Sequence, residues 1–137
     1  MAFDDKFRLS SHAVIIERSE VEPKVFLVKA TYGDYRWGLP GGALEPGETI
    51  HEALQRECVE ELGVSINIKY LTGVYYHQAY QSQAFIFLCE LDDISRIKLS
   101  KEHSEYSYTP VSQLSPVQKQ RVQDCLNYKG VVCSAKF

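Results

Sequence analysis

The feature that most constrains the fold is a loop rich in glycine and proline that leads directly into a well-marked helix. Residues 40–47 read PGGALEPG, a composition that excludes regular structure and predicts a loop. Thr49 followed by Glu52 forms a capping-box signature, and Gly63 is typical of the left-handed residue that ends a helix. Between them, apolar residues recur at every fourth position: Ile50, Leu54, Cys58 and Leu62. The sequence therefore predicts a helix between Thr49 and Gly63 with one buried stripe.

The remaining segments predict strands on both sides of this helix and a second helix near the C-terminus. Short runs rich in Val and Ile are typical of strands, and they cover residues 12–16, 25–28, 66–68, 71–76 and 84–91, with a further strand near residues 37–39. The second helix is expected to begin after Ser115, with Pro116 at its first position and Gln118 completing a capping box. We expect Gly130 to end it. Because strands and helices do not alternate regularly, we expect one α+β domain over residues 1–137, with a mixed sheet between helices.

Composition excludes several classes of function. The 137-residue chain has a formal net charge of −3 and a pI of about 5.8, whereas proteins that bind DNA or RNA by neutralising phosphates carry basic surfaces. The longest apolar run, residues 84–89, is far shorter than the ~20 residues of a membrane helix. The four cysteines form no C-x-x-C pair, the four histidines show no ligand spacing, and the acidic N-terminus does not resemble a secretory signal. We therefore expect a cytoplasmic protein that binds neither nucleic-acid polymers nor membranes.

The predicted helix carries three acidic residues on one face. On a helical wheel of ~100° per residue, Glu57, Glu60 and Glu61 fall within an arc of about 100° around the small residue Ala53. Like charges at this spacing destabilise an isolated helix by ~0.2–0.5 kcal/mol per pair, a cost that a solvated helix face tolerates. A divalent cation changes the balance, because Mg²⁺ prefers oxygen ligands and commonly takes carboxylates together with substrate phosphates. Taken alone, the arc is compatible with either a solvated acidic face or a metal site.

The segment that contains these acids resembles a known motif. From Gly42 to Val64 the sequence reads GALEPGETIHEALQRECVEELGV, which is similar to the Nudix box, G-x5-E-x7-R-E-U-x-E-E-x-G-U, where U is apolar. All seven fixed positions of the box are present: Gly42, Glu48, Arg56, Glu57, Glu60, Glu61 and Gly63. Cys58 and Val64 fill apolar positions, and the preceding L-P-G extends the resemblance. The resemblance implies the α/β/α sandwich of the MutT-related Nudix hydrolases.

The resemblance also implies a chemistry, the hydrolysis of a nucleoside diphosphate linked to a further group, with Mg²⁺ or Mn²⁺ as cofactor. The implied metal ligands are one carbonyl and three carboxylates, those of Gly41, Glu57, Glu60 and Glu61. Glu57 is in addition a candidate general base. Arg56 belongs to the implied catalytic set, where we expect it to pair with Glu48 and lock the loop to the helix. Three box residues are expected to have structural roles: Gly42, Glu48 and Gly63.

A second acidic segment follows the predicted strands. Residues 100–108 resemble the E-H-x-x-Y-x-W segment of several Nudix subgroups, with Tyr108 in place of the Trp. In those subgroups a glutamate on this loop binds metal or activates water, which implies a catalytic role for Glu102, with Glu105 as the second candidate. A solvated charged loop is an equally open interpretation, since E-H alone is a weak motif. In either case we expect the segment to be a loop.

Three residues are our candidates for contacts with substrate: Lys29, Arg36 and Tyr80. Tyr80 lies sixteen positions after Val64, where a tyrosine is associated with dinucleoside-polyphosphate members of the family. Members that resemble the diadenosine tetraphosphate enzymes, however, tend to carry Lys where Gly41 stands. We expect a hydrolase of a (deoxy)nucleoside triphosphate or a related small nucleotide, acting as a monomer or homodimer. A dinucleoside polyphosphate hydrolase and a non-catalytic nucleotide-binding sensor are the alternatives.

Overall fold

A computed structural model describes residues 2–137, which contain eight strands and two α-helices. The strands are Arg8–Glu17 (β1), Lys24–Ala30 (β2), Trp37–Gly38 (β3), Gly41–Ala43 (β4), Asn67–His77 (β5), Ser82–Glu90 (β6), His103–Pro110 (β7) and Cys133–Lys136 (β8). The helices are Ile50–Leu62 (α1) and Pro116–Leu126 (α2). A short 3₁₀ turn, Gln78–Tyr80, connects β5 to β6. In this part of the chain, neither helix has the length and apolar character needed to cross a membrane.

Strand β1 lies at the centre of a mixed sheet. It pairs in parallel with β6, from Arg8 opposite Ser82 to Ile15 opposite Cys89, and runs antiparallel to β2 and β4. The strand order is β3-β2-β1-β6-β5-β8, and β7 pairs antiparallel with β2. Strand β5 runs antiparallel to β6 and parallel to β8. The mixed sheet predicted from the sequence is therefore confirmed.

Each face of the sheet is covered by one helix. Successive side chains of a strand point to opposite faces, and β1 is apolar on both. Ala13 and Ile15 pack into an apolar core with Leu54 of α1, whereas Val14 packs into a second core with Val122 of α2. Burial of apolar surface on both faces stabilises the three layers together. This α/β/α arrangement agrees with the fold implied by the sequence.

Helix α1 begins and ends at the residues that the sequence indicates. The Thr49 hydroxyl accepts a hydrogen bond from the Glu52 amide at 3.1 Å, and the Glu52 carboxylate accepts one from the Thr49 amide at 3.0 Å. Gly63 adopts a left-handed φ of 70°, and its amide donates to the Val59 carbonyl at 2.9 Å. The predicted stripe lies in the core, with Ile50 at its partly buried end and three fully buried residues: Leu54, Cys58 and Leu62. The capping box, the end at Gly63 and the stripe are confirmed.

The strand predictions are wrong in several details. The two strands expected over residues 66–68 and 71–76 are one strand, β5, whose pairing with β6 shifts register. Residues 41–43, expected within a loop, form β4 because their backbone pairs with β1. The segment 100–108, expected to be a loop, enters β7 at His103. Its backbone pairs with β2, and its residues are half-buried or exposed, with no alternation of buried and exposed positions. Strand β8 is too short to be recognised from its pattern.

Helix α2 begins where the sequence predicts and ends earlier than expected. The Ser115 hydroxyl accepts a hydrogen bond from the Gln118 amide at 3.5 Å. The expected capping box is not completed, because the Gln118 side-chain oxygen accepts instead from Arg121 at 3.4 Å. Asn127 caps the helix, so the expected end at Gly130 is wrong; the chain leaves the helical conformation before the glycine is reached.

Candidate active site

Two adjacent glycines bring the loop before α1 into contact with its neighbours. Gly41 has a φ of 136°, and a Cβ built on it would lie 2.0 Å from the Ser11 carbonyl oxygen of β1. A Cβ on Gly42 would lie 2.6 Å from the carboxyl carbon of Glu57 on α1. A side chain fits at neither position, because Cβ atoms essentially never approach other heavy atoms within 3.0 Å. The loop backbone, β1 and Glu57 therefore meet at one point.

Arg56 connects this loop to helix α1. Its guanidinium donates to both carboxylate oxygens of Glu48, at 2.7 and 2.9 Å, and to the Ala43 carbonyl at 3.1 Å. The same group donates to Glu57 at 3.0 Å and to Glu60 at 3.3 Å. The hydrogen bonds between Arg56 and Glu48 raise the pKa of the arginine and lower the pKa of the carboxylate to about 2. The pairing of Arg56 with Glu48 expected from the sequence is present, and Arg56 in addition orients Glu57.

Glu61 is the buried carboxylate of the site. Only 3% of its surface is exposed, and one of its oxygens accepts a hydrogen bond from the Gly41 amide at 3.2 Å. Its other oxygen lies 3.6 Å from His103 Nε2. Burial raises the pKa of Glu61 well above its ordinary range, and the negative charges of Glu57 and Glu102 raise that pKa further. A carboxylate in this position is stabilised either by a proton or by a bound cation.

The donor groups around Glu61 suit Mg²⁺ or Mn²⁺. Glu57 lies against Gly42, the amide of the adjacent Gly41 donates to Glu61, and the charge of Glu57 raises the pKa of Glu61. Within residues 2–137, no group of three or more His, Cys, Asp or Glu side chains already converges to hold an ion. A carboxylate pair is sufficient for Mg²⁺, which typically binds one or two carboxylates and takes waters and substrate phosphates as its other ligands. Glu60, the third acid of the arc, is more exposed and is paired with Arg56.

A cavity of about 380 Å³, here called the site cavity, opens beside Glu61 and Gly41. Three aromatic side chains line it and are exposed by 62%, 38% and 68%, those of Tyr32, Trp37 and Tyr80 respectively. A concave space of this size with aromatic walls is typical of a small-molecule site. Because the carboxylate end and the aromatic walls belong to one cavity, a ligand can place an anionic group at Glu61 and a ring against an aromatic side chain.

The structure brings some of the predicted substrate and catalytic residues together and separates others. Arg36 and Tyr80 both line the site cavity. Lys29 is absent from the described residues that line it and forms an ion pair with Glu105 of β7 at 3.6 Å. Glu102 immediately precedes β7, and its negative charge raises the pKa of the buried carboxylate. The charge of Glu102 therefore acts on Glu61, whereas Glu105 is engaged with Lys29.

Two histidines line the site cavity although their spacing in the sequence gives no indication of a site. His12 lies on β1 opposite Gly41, and burial lowers its pKa to about 4, which keeps the ring neutral at neutral pH. Burial also lowers the pKa of His103. A neutral imidazole offers one donor and one acceptor to a ligand without adding charge. The E-H dipeptide is the sequence signal for His103, whereas His12 could be recognised only from the pairing of β1 with β4.

The chain also matches known proteins. A family model described as the NUDIX domain matches residues 6–126, so the chain belongs to the Nudix family. It is 38% identical over 74 residues to an ADP-ribose pyrophosphatase of Methanocaldococcus jannaschii, and 32% identical over 82 residues to diphosphoinositol polyphosphate phosphohydrolase 2 of Homo sapiens. These matches cover 51% and 60% of this chain but 44% and 46% of the two relatives. The chain therefore spans less than half the length of these curated relatives.

A solved structure shows the same fold. A Nudix hydrolase from Nitrosomonas europaea superposes with a TM-score of 0.72 at 28% sequence identity. The match covers 89% of this chain and 90% of that one. The mixed sheet with one helix on each face is therefore the Nudix fold.

Proposed function

We propose that this protein is a metal-dependent pyrophosphohydrolase that cleaves a phosphoanhydride bond in a (deoxy)nucleoside triphosphate or a related nucleoside diphosphate derivative. The observation that carries the proposal is the placement of the buried Glu61 and of Glu57 against the adjacent glycines Gly41 and Gly42, with Glu61 at one end of an aromatic-lined cavity. When bound there, Mg²⁺ or Mn²⁺ supplies positive charge against the diphosphate and acidifies water. Membership of the Nudix family supports the same class of reaction.

The residues of the chain have separate tasks in this proposal. Four groups would hold the metal: the Gly41 carbonyl and the carboxylates of Glu57, Glu60 and Glu61. Arg56 acts on the reaction by fixing Glu57, to which it donates at 3.0 Å. The proton of the attacking water is accepted by a carboxylate, and we favour Glu102 because, within the described residues, it forms no ion pair and its charge reaches the site. Glu57 is the alternative base.

The charge of the site cavity favours a nucleotide over a polyphosphorylated ring as substrate. Among the described residues that line it, Arg36 is the one Lys or Arg side chain, and it is paired with Asp34 at 3.1 Å. His12 is neutral and adds no positive charge. A diphosphoinositol polyphosphate, the substrate named for the Homo sapiens relative, carries many phosphates and requires several cationic partners. A nucleoside diphosphate derivative such as ADP-ribose, named for the Methanocaldococcus relative, instead presents a base that can stack on aromatic side chains.

A dinucleoside polyphosphate is the second candidate substrate. Tyr80 lines the site cavity and is 68% exposed, so its ring is free to stack against a base. A nucleotide sensor without turnover is the alternative from a different functional class. The complete set of box carboxylates and the placement of Glu57 and the buried Glu61 against the glycine pair argue for the enzyme.

The experiment that tests the proposal is a panel of nucleotides incubated with Mg²⁺, with the products separated by chromatography. We expect a nucleoside triphosphate to yield a nucleoside monophosphate and pyrophosphate, because a triphosphate is a nucleoside diphosphate linked to a further phosphate and the proposed reaction adds water across the anhydride within that diphosphate. Release of inorganic phosphate and a nucleoside diphosphate would contradict this position of cleavage. Hydrolysis in ¹⁸O-labelled water then identifies the phosphorus that is attacked. Tight binding of one nucleotide with turnover of none would support the sensor.

A further inference from the structure

The 3₁₀ turn Gln78–Tyr80, here called the Tyr80 turn, brings Tyr80 to the wall of the site cavity with few contacts of its own. All three of its residues are exposed, so burial of side chains gives the turn little support. Its first amide donates to the Phe137 carbonyl at 3.1 Å. The next residue, Gln81, has a left-handed φ of 45°, which residues other than glycine rarely adopt. The position of the turn therefore depends on the residue that precedes it.

That residue is His77, the last of β5, and its ring contacts three other parts of the fold. Its Nε2 is in contact with the guanidinium of Arg121 on α2. Its ring centroid lies 5.2 Å from that of Phe137, which follows β8, and 6.4 Å from that of Tyr80. Because the ring lies between α2 and the Tyr80 turn, a change in its contact with Arg121 reaches the wall of the site cavity through one side chain.

The contact between Arg121 and His77 requires a neutral imidazole. A guanidinium can only donate hydrogen bonds, so His77 Nε2 is the acceptor and the ring proton lies on Nδ1. A second proton on the ring would turn Nε2 into a donor and bring two positive charges into contact. Arg121 is buried, so water screens the repulsion between those charges only weakly. Proton uptake by His77 and its contact with Arg121 therefore exclude each other.

The surroundings of His77 supply no carboxylate that would relieve this repulsion. The charged and titratable groups on the neighbouring elements are Arg121 and Asp124 on α2, His12 on β1, Tyr75 on β5, Tyr80 on the turn, and Lys136 on β8. The one acid among them, Asp124, accepts a hydrogen bond from the Tyr75 hydroxyl at 2.8 Å. Within residues 2–137, neither Arg121 nor His77 forms an ion pair. Burial, followed by the charge of Arg121, lowers the pKa of His77 below its ordinary 6.5.

We propose that His77 is a positioning residue for the site cavity: its neutral ring, held by Arg121, keeps the Tyr80 turn in place, and proton uptake by the ring releases the turn. A ring that has left Arg121 binds a proton with its ordinary pKa, whereas the held ring binds one less readily. Protons therefore favour the released turn as the pH falls below about 6.5, and the turn is held above that pH. The consequence for nucleotide binding rests on the proposed function, whereas the release of the turn does not.

Release of the turn can be measured without a ligand, by hydrogen exchange of backbone amides followed by NMR. The Gln78 amide, bonded to the Phe137 carbonyl, reports on the turn. The Asn127 amide, bonded to the Gln123 carbonyl at 2.9 Å, reports whether α2 itself opens. The protection factor corrects each amide for the effect of pH on the exchange chemistry. Relative to Asn127, we expect the protection of Gln78 to fall at least ~5-fold between about pH 7.5 and about pH 5.5, the lower end of couplings between two sites.

A matched pair of histidine variants locates the effect. His77→Gln keeps a side-chain oxygen that can accept from Arg121 but cannot take up a proton in this range, so we expect the decline in protection to disappear. His51→Gln makes the same change at an exposed histidine of α1 and should keep the decline of the wild type. Arg121→Met removes the positive charge and leaves the ring of His77 in place. The decline should disappear in this variant too, whatever its protection at neutral pH.

The effect on the site cavity is measured as the KM for ATP with Mg²⁺ at the same two pH values. Titration of ATP itself is common to all variants, so only the difference between proteins is interpreted. We expect the KM of the wild type to rise at least ~5-fold more at the lower pH than the KM of His77→Gln. The kcat values should change equally in the two proteins, because the carboxylates of the site are the same in both.

The outcomes separate this inference from the proposed function. Protection of Gln78 that does not change with pH, or that changes equally in the wild type and in His77→Gln, would overturn the inference even if nucleotides are hydrolysed. A released turn with equal KM values in the two proteins would overturn its link to the site cavity. The expected exchange behaviour with no turnover of any nucleotide would support the positioning role of His77 and contradict the enzymatic proposal.

Discussion

The two faces of the sheet each carry an arginine on their helix, and the surroundings of these two arginines are opposite. Arg56 of α1 is partly exposed and donates to the carboxylates of Glu48, Glu57 and Glu60. Arg121 of α2 is only 7% exposed and contacts His77 and the Gln118 oxygen. Within residues 2–137 it forms no ion pair, and its Nε has no hydrogen-bond partner. The positive charge of Arg56 therefore faces several carboxylates, whereas the positive charge of Arg121 faces none.

The pKa values of the two arginines follow from this difference. Hydrogen bonds to Glu48 raise the pKa of Arg56, whereas burial lowers the pKa of Arg121 to about 10. The charge of Arg121 in turn helps to lower the pKa values of His12 and His77. The comparison teaches that the α1 face carries an excess of negative charge, because several carboxylates surround one arginine. The single cation of the α2 face acts instead on its histidine neighbours.

The largest expected effect tests whether the acids of the α1 face form a site. Glu57→Gln keeps the shape of the side chain and removes a charge, so we expect kcat to fall by ~10²–10⁴-fold. The melting temperature without metal should hold or rise slightly, because like charges are relieved. Stabilisation by added Mg²⁺ should weaken, since a ligand that binds the folded state is bound less tightly. Steady-state kinetics and thermal melts with and without Mg²⁺ measure these changes.

Glu52→Gln is the matched control on the same helix. Its carboxylate serves the capping box with Thr49, and Gln also fits that position. We expect kcat and the stabilisation by Mg²⁺ to stay close to the wild-type values. Equal kinetic damage from Glu57→Gln and Glu52→Gln would show that the acids act through general charge or folding, and the metal-site assignment would be wrong.

The next prediction tests whether an acid outside α1, Glu102 or Glu105, takes part in catalysis. Glu102→Gln should lower kcat by ~10²–10⁴-fold if Glu102 is the general base, with little change in the melting temperature. Glu105→Gln should lower kcat less than Glu102→Gln, because the carboxylate of Glu105 is paired with Lys29. If both variants keep kcat within a few-fold of the wild type, this segment has no catalytic part and Glu57 becomes the preferred base.

A third prediction contrasts the two arginines directly. Arg56→Met should lower both the melting temperature and kcat/KM, the latter by ~10–100-fold, because the orientation of a candidate metal ligand, Glu57, is lost. Arg121→Met should leave the melting temperature unchanged or higher, since an uncompensated buried charge is removed. It should raise KM with little effect on kcat, because His77 contacts Arg121 and its ring centroid lies 6.4 Å from that of Tyr80. A large drop in melting temperature for Arg121→Met would show that its charge is compensated after all.

The smallest expected effect is in the pH dependence of stability. Arg56 lowers the pKa of Glu48 from its ordinary 4.5 to about 2 in the folded protein. A carboxylate whose pKa is lower in the folded state stabilises the fold above its unfolded pKa, and this contribution disappears as the pH falls through the folded pKa. We therefore expect Glu48→Gln to melt below the wild type at pH 7, with the difference shrinking between pH 4.5 and 2. A difference that stays constant over this range would contradict the role of the ion pair.

The features that could be predicted from the sequence are those formed by residues close together in the chain. The capping box of α1, the end at Gly63 and the pairing of Arg56 with Glu48 all lie within one short segment, so spacing alone indicates them. The rest depends on strands that are distant in the chain. The pairing of β1 with β4 places His12 opposite Gly41, and the pairing of β2 with β7 engages Lys29 with an acid. Neither pairing leaves a local pattern in the sequence.

Arg121 shows a second limit of prediction. Helix α2 has an apolar inner face that the sequence indicates, but a buried arginine without an acidic partner runs against the ordinary expectation for charged residues. Its burial follows from the contact with His77 on β5, which lies more than forty positions earlier in the chain.

The parallel pairing of β1 with β6 has a consequence for how the protein is made. The paired residues of these strands are about seventy positions apart, so a ribosome releases β1 long before its partner exists. Closing a loop of that length is slow compared with forming a local hairpin. The stripe of α1 packs against Phe87 and Cys89 of β6 as well as against Ala13 and Ile15 of β1. Until β6 emerges, the helix that carries the proposed metal ligands lacks part of the apolar surface against which it packs, so we expect the proposed site to be completed only late in synthesis.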